Sequence, residues 1–167
     1  MRVAINRTAI NTINPLDLVE EIVSDNDWSF DRRSQEEMLV EVPGHWATYS
    51  LFFAWSHELR AMHFSVTLDI RVPEHRRTAV CELLTAVNER MWLGHFILWD
   101  EDSMPMFRYS VLGRDDHAMS QDHLETLVDI AVRECERFFP AFQFVIWGGK
   151  SAEEAVSAAM LDTVGEC

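Results

Sequence analysis

A helical period of apolar residues, followed by two strands, occupies residues 73–112 and constrains the fold more than any other segment. Five apolar residues repeat at helical spacing and mark one buried face: Val80, Leu83, Leu84, Val87 and Met91. Pro73 suits the first helical position, and Gly94 can adopt the left-handed conformation that ends a helix. Residues 95–99 and 106–112 then predict two strands around an acidic turn. Because strands also precede this segment, we expect the helix to cross one face of a mostly antiparallel sheet.

Four strands are predicted before this helix. In residues 62–70, apolar and polar side chains alternate regularly, which is typical of a strand with one buried face and one wetter face. Residues 28–31, 37–42 and 49–55 predict three more strands. Asn14 predicts the N-terminal cap of a helix that comes before all four strands.

Two helices are predicted after the second pair of strands. Ser120 caps the first of them, which Pro140 is expected to kink or stop. Ser151 and Glu154 form a capping box for a last helix over residues 152–161. The predicted order is therefore α-β-β-β-β-α-β-β-α-α, in an α+β domain with a mostly antiparallel, twisted sheet and helices packed mainly on one face.

The chain length of 167 residues suffices for one domain with a sizeable core. Residues 1–13 show no strong period and predict a loose N-terminal arm, whereas residues 14–165 predict a single domain. The sequence shows no secretory signal and no apolar run of the ~20 residues that a membrane helix needs. Three widely spaced cysteines, Cys81, Cys135 and Cys167, predict reduced thiols, so we expect a cytoplasmic protein.

The formal net charge of −14 argues against some classes of partner. An anionic surface repels phosphate groups, so we expect no binding to nucleic acid and none to a membrane. The charge itself has two interpretations that the sequence leaves open. It can serve solubility alone, or it can attract a basic or hydrophobic polypeptide.

No set of residues in the sequence indicates a reaction. Gly148, Gly149 and Lys150 precede a helix as in a phosphate-binding loop, but Phe144 occupies the position where that motif needs its first glycine. A helix stop followed by a cap is the plainer interpretation. The histidines show no metal-ligand spacing, and the acidic residues 100–102 are typical of a solvated turn as well as of a hard-cation site. We therefore predict a non-enzymatic protein with no cofactor, no metal and no catalytic residue.

A small-ligand- or metal-binding enzyme is the alternative. Its site would lie in the groove between the sheet and the central helix. The first residues to inspect are polar side chains on and after the fourth strand and on the last two strands: His63, Asp69, Arg71, His95 and Arg108.

Aromatic residues are more numerous than helix-on-sheet packing alone requires. Most are expected in the core, because large rings dominate core burial. Large apolar patches that stay exposed usually mark interfaces, so the surplus predicts a surface for a dimer or for a client polypeptide. The candidate residues for this surface are Phe52, Trp55, Phe142, Phe144 and Trp147.

Six separated segments together resemble the YbjN family, in its alphaproteobacterial branch. In chain order, these segments are residues 14–17 (NPLD), 28–32 (WSFDR), 51–55 (LFFAW), 92–96 (WLGHF), 104–108 (MPMFR) and 141–150 (AFQFVIWGGK). The resemblance extends from Asn14 to Gly165, which is nearly the whole chain. The family is labelled a bacterial sensory-transduction regulator and has no established catalytic residues, so the resemblance implies none here.

The resemblance implies a fold like that of the type III secretion chaperones, which are small, acidic, cytoplasmic and usually dimeric. It also implies a non-enzymatic regulator or chaperone-like adaptor that acts by binding another protein. Because symmetric pairs are the commonest oligomers, we expect a homodimer.

Overall fold

The structure of the protein, a computed structural model, describes residues 14–113 and 119–162, without the side chain of Asp162. The predicted arm, residues 1–13, and the end of the predicted domain, residues 163–165, lie outside the described residues. In chain order the elements are α1 (Pro15–Asp25), β1 (Ser29–Arg32), β2 (Glu37–Pro43), β3 (Thr48–Ser56), β4 (Ala61–Thr67), α2 (Arg77–Asn88), β5 (His95–Trp99), β6 (Met104–Leu112), α3 (Gln121–Ile146) and α4 (Ala152–Asp162). The predicted α+β class and the predicted order of helices and strands are confirmed.

The strands form one six-stranded sheet in the order β1-β2-β3-β4-β6-β5, and every neighbouring pair is antiparallel. The first four strands follow one another as hairpins. Helix α2 then carries the chain past the sheet, so that β5 becomes an edge strand and β6 returns between β5 and β4. Register fixes the core because a strand alternates its side chains between two faces: Phe53 lies between Met38 on β2 and Phe64 on β4, and all three are buried.

The helices of the described residues pack on one face of this sheet. Along β3, the buried side chains are Tyr49, Leu51, Phe53 and Trp55, and the residues between them are more exposed. Helix α3 crosses the buried face, where Phe138 and Phe142 contact the ring of Phe96 on β5, with ring centroids 6.2 and 5.5 Å apart. The prediction that helices lie mainly on one face is therefore confirmed.

Helix α2 is shorter than its apolar period predicts. Pro73 precedes a 3₁₀ turn, Glu74–Arg76, and the α-helix begins only at Arg77. The helix ends at Asn88, well before Gly94. The left-handed conformation expected at Gly94 is present, with φ of +67°, but it turns the loop into β5 instead of ending the helix. The ring of Phe107 lies against Gly94 and leaves no room for a Cβ atom there.

Helix α3 continues through Pro140, so the helix does not stop there. Proline lacks the N–H that would bond to the carbonyl of Glu136, a defect that costs ~3 kcal/mol in a helix interior. Burial offsets this cost. The residues around Pro140 that are buried against the sheet are Phe138, Phe139, Ala141, Phe142 and Val145. Each buried phenylalanine contributes roughly 2–3 kcal/mol.

Strand β4 ends at Thr67 instead of continuing to residue 70. Leu68 and Ile70 remain buried, as their alternation predicts. The N–H of Leu68 still donates to the carbonyl of Pro105 on β6 at 3.0 Å, but the N–H of Ile70 donates to the Leu68 carbonyl, so the backbone turns away from the ladder there. Apolar alternation thus identified the buried side chains correctly but did not identify the end of the strand.

Candidate protein-binding surfaces

The five aromatic residues predicted to form one surface occupy different environments. Trp55 and Phe142 are only 7% and 0% exposed, so both belong to the core. Trp55 shares the buried face of β3, and Phe142 faces the ring of Phe96. This placement corrects the expectation that these two side chains are available at the surface. Phe52 and Phe144 are half-buried, and Trp147 is 65% exposed.

The end of helix α3 carries an aromatic and basic surface that we call the α3-end patch, made of Phe144, Trp147 and Lys150. Trp147 is the C-terminal cap residue of α3, and its N–H donates to the carbonyl of Gln143. The Lys150 Nζ atom lies 4.5 Å from the centre of the Phe144 ring, which is within the range of a cation–π interaction. The patch therefore carries the exposed indole of Trp147 and a positive charge held over the Phe144 ring.

Two glycines hold the α3-end patch in place. Gly149 has φ of +65°, a conformation that other residues rarely adopt. A Cβ atom on Gly148 would approach the Phe144 carbonyl oxygen to 2.7 Å. The N–H of Lys150 donates to that same carbonyl at 3.1 Å. These contacts fix the backbone beneath Trp147, so the indole is held on a rigid support.

A second surface is the sheet face opposite the helices, which we call the open face. No helix of the described residues covers it. Phe52 lies near its centre, beside Leu39 on β2 and Ser65 on β4. Apolar side chains of the open face that are partly buried are Leu39, Phe52, Ala54, Ile97, Met104 and Met106, and those that are exposed are Trp99 and Leu112.

The open face also brings together three of the five polar residues that the sequence suggested. Ser110 and His63 face each other across β6 and β4, with Oγ and Nδ1 2.9 Å apart. Arg108 donates from Nε to His63 Nε2 at 3.3 Å, so the neutral ring carries its proton on Nδ1 and donates it to Ser110. His95 lies opposite Arg108 on β5. Burial lowers the pKa of His63, and the nearby Arg108 and His95 lower it further.

The groove that the alternative hypothesis requires is filled. Between α2 and the sheet lie the buried side chains of Val80, Leu83, Val87 and Phe96. The clustered polar residues face away from α2, on the open face, whereas Asp69 and Arg71 are exposed beyond the end of β4. The polar residues therefore do not line a groove between the sheet and the central helix.

The other candidate features have structural roles. The predicted capping box forms: the Ser151 N–H donates to the Glu154 carboxylate at 3.0 Å, and the Glu154 N–H donates to Ser151 Oγ at 3.3 Å. The Ser151 hydroxyl also donates to the Glu154 carboxylate at 3.0 Å. Those bonds from Ser151 lower the pKa of Glu154. In the acidic turn, Asp100 pairs with Arg77 at the start of α2. Within residues 14–113 and 119–162, no group of three or more histidine, cysteine or acidic side chains is placed to hold a metal ion.

Sequence reasoning gave no special role to two features of the surface. Trp92 is 99% exposed in the loop after α2. Its position in the sequence, just after the last residue of the apolar period and two residues before Gly94, was a signal for such exposure. Glu136 on α3 accepts hydrogen bonds from the N–H groups of His45 and Trp46 at 2.8 and 3.4 Å. No local pattern predicts that contact, because it joins residues about ninety positions apart.

Tyr49 and Cys135 are buried groups with altered ionisation. Burial raises the pKa of the Tyr49 hydroxyl, and the nearby Glu136 carboxylate raises it further. That hydroxyl has no hydrogen-bond partner among the described residues. Burial likewise raises the pKa of Cys135, which keeps its thiol protonated and unreactive.

Helices long and apolar enough to span a bilayer are absent from the part of the chain that the structure describes.

A comparison with curated proteins finds no match. Among solved structures, the chain is similar to the crystal structure of YbjN from E. coli, described as "a putative transcription regulator". The TM-score is 0.53 at 15% identity, over 78% of this chain and 87% of that chain, a likeness that shows the fold alone. The sequence profile of the YbjN family, described as "Putative bacterial sensory transduction regulator", matches residues 15–144. Because that match spans most of the chain, the protein belongs to the YbjN family.

Proposed function

We propose that this protein is a cytoplasmic, non-enzymatic regulator or chaperone-like adaptor that acts by binding another polypeptide. The observation that carries the proposal is the α3-end patch, where Trp147 is 65% exposed on a rigid backbone. Exposed tryptophan is costly for solubility and is enriched at the centres of protein interfaces. A site of this kind gains affinity because little conformational freedom is lost when a partner binds.

The chemistry of the patch favours a polypeptide partner with apolar residues. Trp147 and Phe144 offer ring surface, and Lys150 offers one cation that can pair with an acidic neighbour or donate to a polar one. The net charge of −14 over the whole chain favours a partner that is basic elsewhere on its surface. The same charge disfavours direct binding to DNA. If the protein affects gene expression, as the description of the E. coli structure suggests for that protein, we expect the effect to pass through a protein partner.

The test is capture of a partner by immobilised protein and by its Trp147→Glu variant from native lysate. The wild-type protein should retain a specific polypeptide, and the variant should lose it. Titration of the purified partner should then show an affinity loss of about tenfold or more, the loss typical of an interface-centre tryptophan.

Leu59→Glu is the matched control, because Leu59 is 72% exposed and lies in the turn between β3 and β4. This variant should bind the partner as the wild type does. Equal binding by all three proteins would contradict the assignment to the α3-end patch. Failure of the wild type to retain any specific polypeptide over varied growth conditions would contradict the proposed function.

A further inference from the structure

We propose that the open face is the interface between two copies of this chain, packed sheet against sheet about a two-fold axis. The axis would run parallel to the strands, between β3 and β4. This inference concerns the opposite side of the sheet from the helices and does not depend on the proposed function. It rests on the arrangement of the side chains across the face.

One row of outward side chains crosses all six strands. Strand pairing aligns Asp31, Leu39, Phe52, Ser65, Arg108 and His95 in this row. The row has the acid Asp31 at one end, apolar or small groups in the middle, and Arg108 followed by His95 at the other end. A two-fold axis parallel to the strands places β1 opposite β5 of the partner subunit, β2 opposite its β6, and β3 opposite its β4. The row is therefore complementary to itself.

Shape complementarity is greatest near the axis. Phe52 would face Ser65 of the partner subunit, so that the largest side chain at the centre of the row meets the smallest. Phe52 is half-buried in the single chain, whereas Ser65 is only 5% exposed and does not protrude. Neighbouring strands lie about 4.8 Å apart, so the two Phe52 rings would lie side by side across the axis.

Charge complementarity fixes the orientation. Arg108 would face Leu39 of the partner subunit, which Glu37 and Glu41 flank along β2 at a distance of roughly 7 Å. In the single chain, Arg108 donates from Nε to His63, its guanidinium carbon lies 6.0 Å from the centre of the Trp99 ring, and its terminal nitrogens make no hydrogen bond among the described residues. These nitrogens could pair with either glutamate. Each copy supplies both the cation and the acids, so the contact would form twice.

This pattern favours a second copy over an unrelated partner. A segment of one charge sign would meet like charge at one side of the face, whereas a rotated copy places Arg108 near the acidic side chains of β2 on both sides of the axis. The size of the open face determines the affinity that we expect for the dimer. Six strands span roughly 25 Å, which places the interface at the small end of specific interfaces. We therefore expect a reversible dimer with a dissociation constant on the order of 10 μM.

The test is the dissociation constant of the full chain, measured by sedimentation or light scattering over a range of concentrations. Phe52→Glu should abolish the dimer. Arg108→Glu alone and the pair Glu37→Arg with Glu41→Arg should each weaken it about tenfold or more, because like charges then face each other. A chain that carries all three changes exchanges the charges between the two subunits and should recover dimerisation. Such recovery cannot result from damage to the fold.

Trp147→Glu is the control and should dimerise as the wild type does, which separates this interface from the α3-end patch. If Phe52→Glu does not fold, Phe52→Ser tests the same contact with a smaller change. A wild-type chain that stays monomeric at several hundred micromolar would overturn the inference. So would a dimer that a folded Phe52 variant leaves intact, or folded charge variants that fail to rescue one another.

Discussion

At the scale of single residues, the contact between Glu136 and the turn after β2 shows how one carboxylate joins two distant parts of the fold. Its Oε1 atom accepts from the backbone of His45 and Trp46. The turn itself needs Gly44, because a Cβ atom there would clash with both Glu136 and the Tyr49 ring. Trp46 then stacks on Phe139, with ring centroids 6.3 Å apart. Glu136 thus fixes the position of the turn against α3.

Replacing Glu136 by alanine should lower the free energy of unfolding by about 1–3 kcal/mol, because two charge-assisted hydrogen bonds are lost. Urea denaturation measures this change. Glu134→Ala is the control on the same helix, since Glu134 pairs with Arg137 only three positions away and helical pairs at this spacing contribute about 0.2–0.5 kcal/mol. Equal destabilisation by the two variants would contradict a specific role for Glu136 in the turn.

His63 should make stability depend on pH. Its pKa in the folded protein lies below the ordinary value of 6.5, which applies in the unfolded chain. Below pH 6.5 the unfolded chain therefore binds a proton that the folded chain does not, and stability falls as the pH is lowered until the folded pKa is passed. The groups that face His63 are Arg108 and Ser110 on β6 and His95 on β5.

His63→Gln keeps a polar side chain without the titrating ring. We expect a shallower loss of stability between pH 7 and pH 5 for this variant than for the wild type, measured by urea denaturation at low protein concentration. Parallel curves for the two proteins would contradict the account.

At the scale of elements, Asn88 joins the end of helix α2 to β5, the edge strand of the sheet. Its side-chain amide donates to the Phe96 carbonyl at 3.0 Å and accepts from the Phe96 N–H at 2.7 Å. Both groups lie on the outer edge of β5, so the amide acts as a short substitute for another strand. Edge strands with free backbone groups are liable to pair with other chains. The Asn88 amide occupies the backbone N–H and carbonyl of Phe96, so another chain cannot pair with the strand at that residue.

Asn88→Asp should destabilise the protein by about 1–3 kcal/mol, because the donor is lost and a carboxylate then faces the Phe96 carbonyl. Thr85→Ala, one turn earlier on the same helix, removes only a local bond to the Cys81 carbonyl and serves as the control. Hydrogen exchange of the Phe96 amide should accelerate in Asn88→Asp and stay slow in Thr85→Ala. Unchanged protection of Phe96 in both variants would contradict the role of Asn88.

The elements also show which features local sequence can predict. Caps at Asn14, Ser120 and Ser151 form as expected because capping involves residues only two or three positions apart. The helix does not stop at Pro140, because burial against the sheet outweighs the loss of one helical hydrogen bond. The aromatic surface was only partly predicted for the same reason: Phe142 and Trp147 lie five positions apart, and only the docked helix determines which of them is buried.

At the scale of the whole molecule, the sheet separates two surfaces that we propose for different tasks. The helices lie on one face, and the α3-end patch lies at the end of α3, whereas the apolar and charged row lies on the open face. Partner binding and self-association would therefore use different residues, Trp147 for one and Phe52 for the other. The sequence suggested both residues as candidates for a binding or dimer surface but did not place them relative to each other, because the pattern of a strand or helix does not reveal which side of the domain it occupies.

The closure of the sheet edges limits how this protein can assemble. One edge strand has the Asn88 amide against its backbone, and the other, β1, is only four residues long. Neither offers a further chain a long ladder to extend, so stacking into fibrils is disfavoured even in a crowded cell. Association would stop at the dimer that we propose through the open face. An acidic protein with exposed tryptophans could then accumulate to high levels without polymerising.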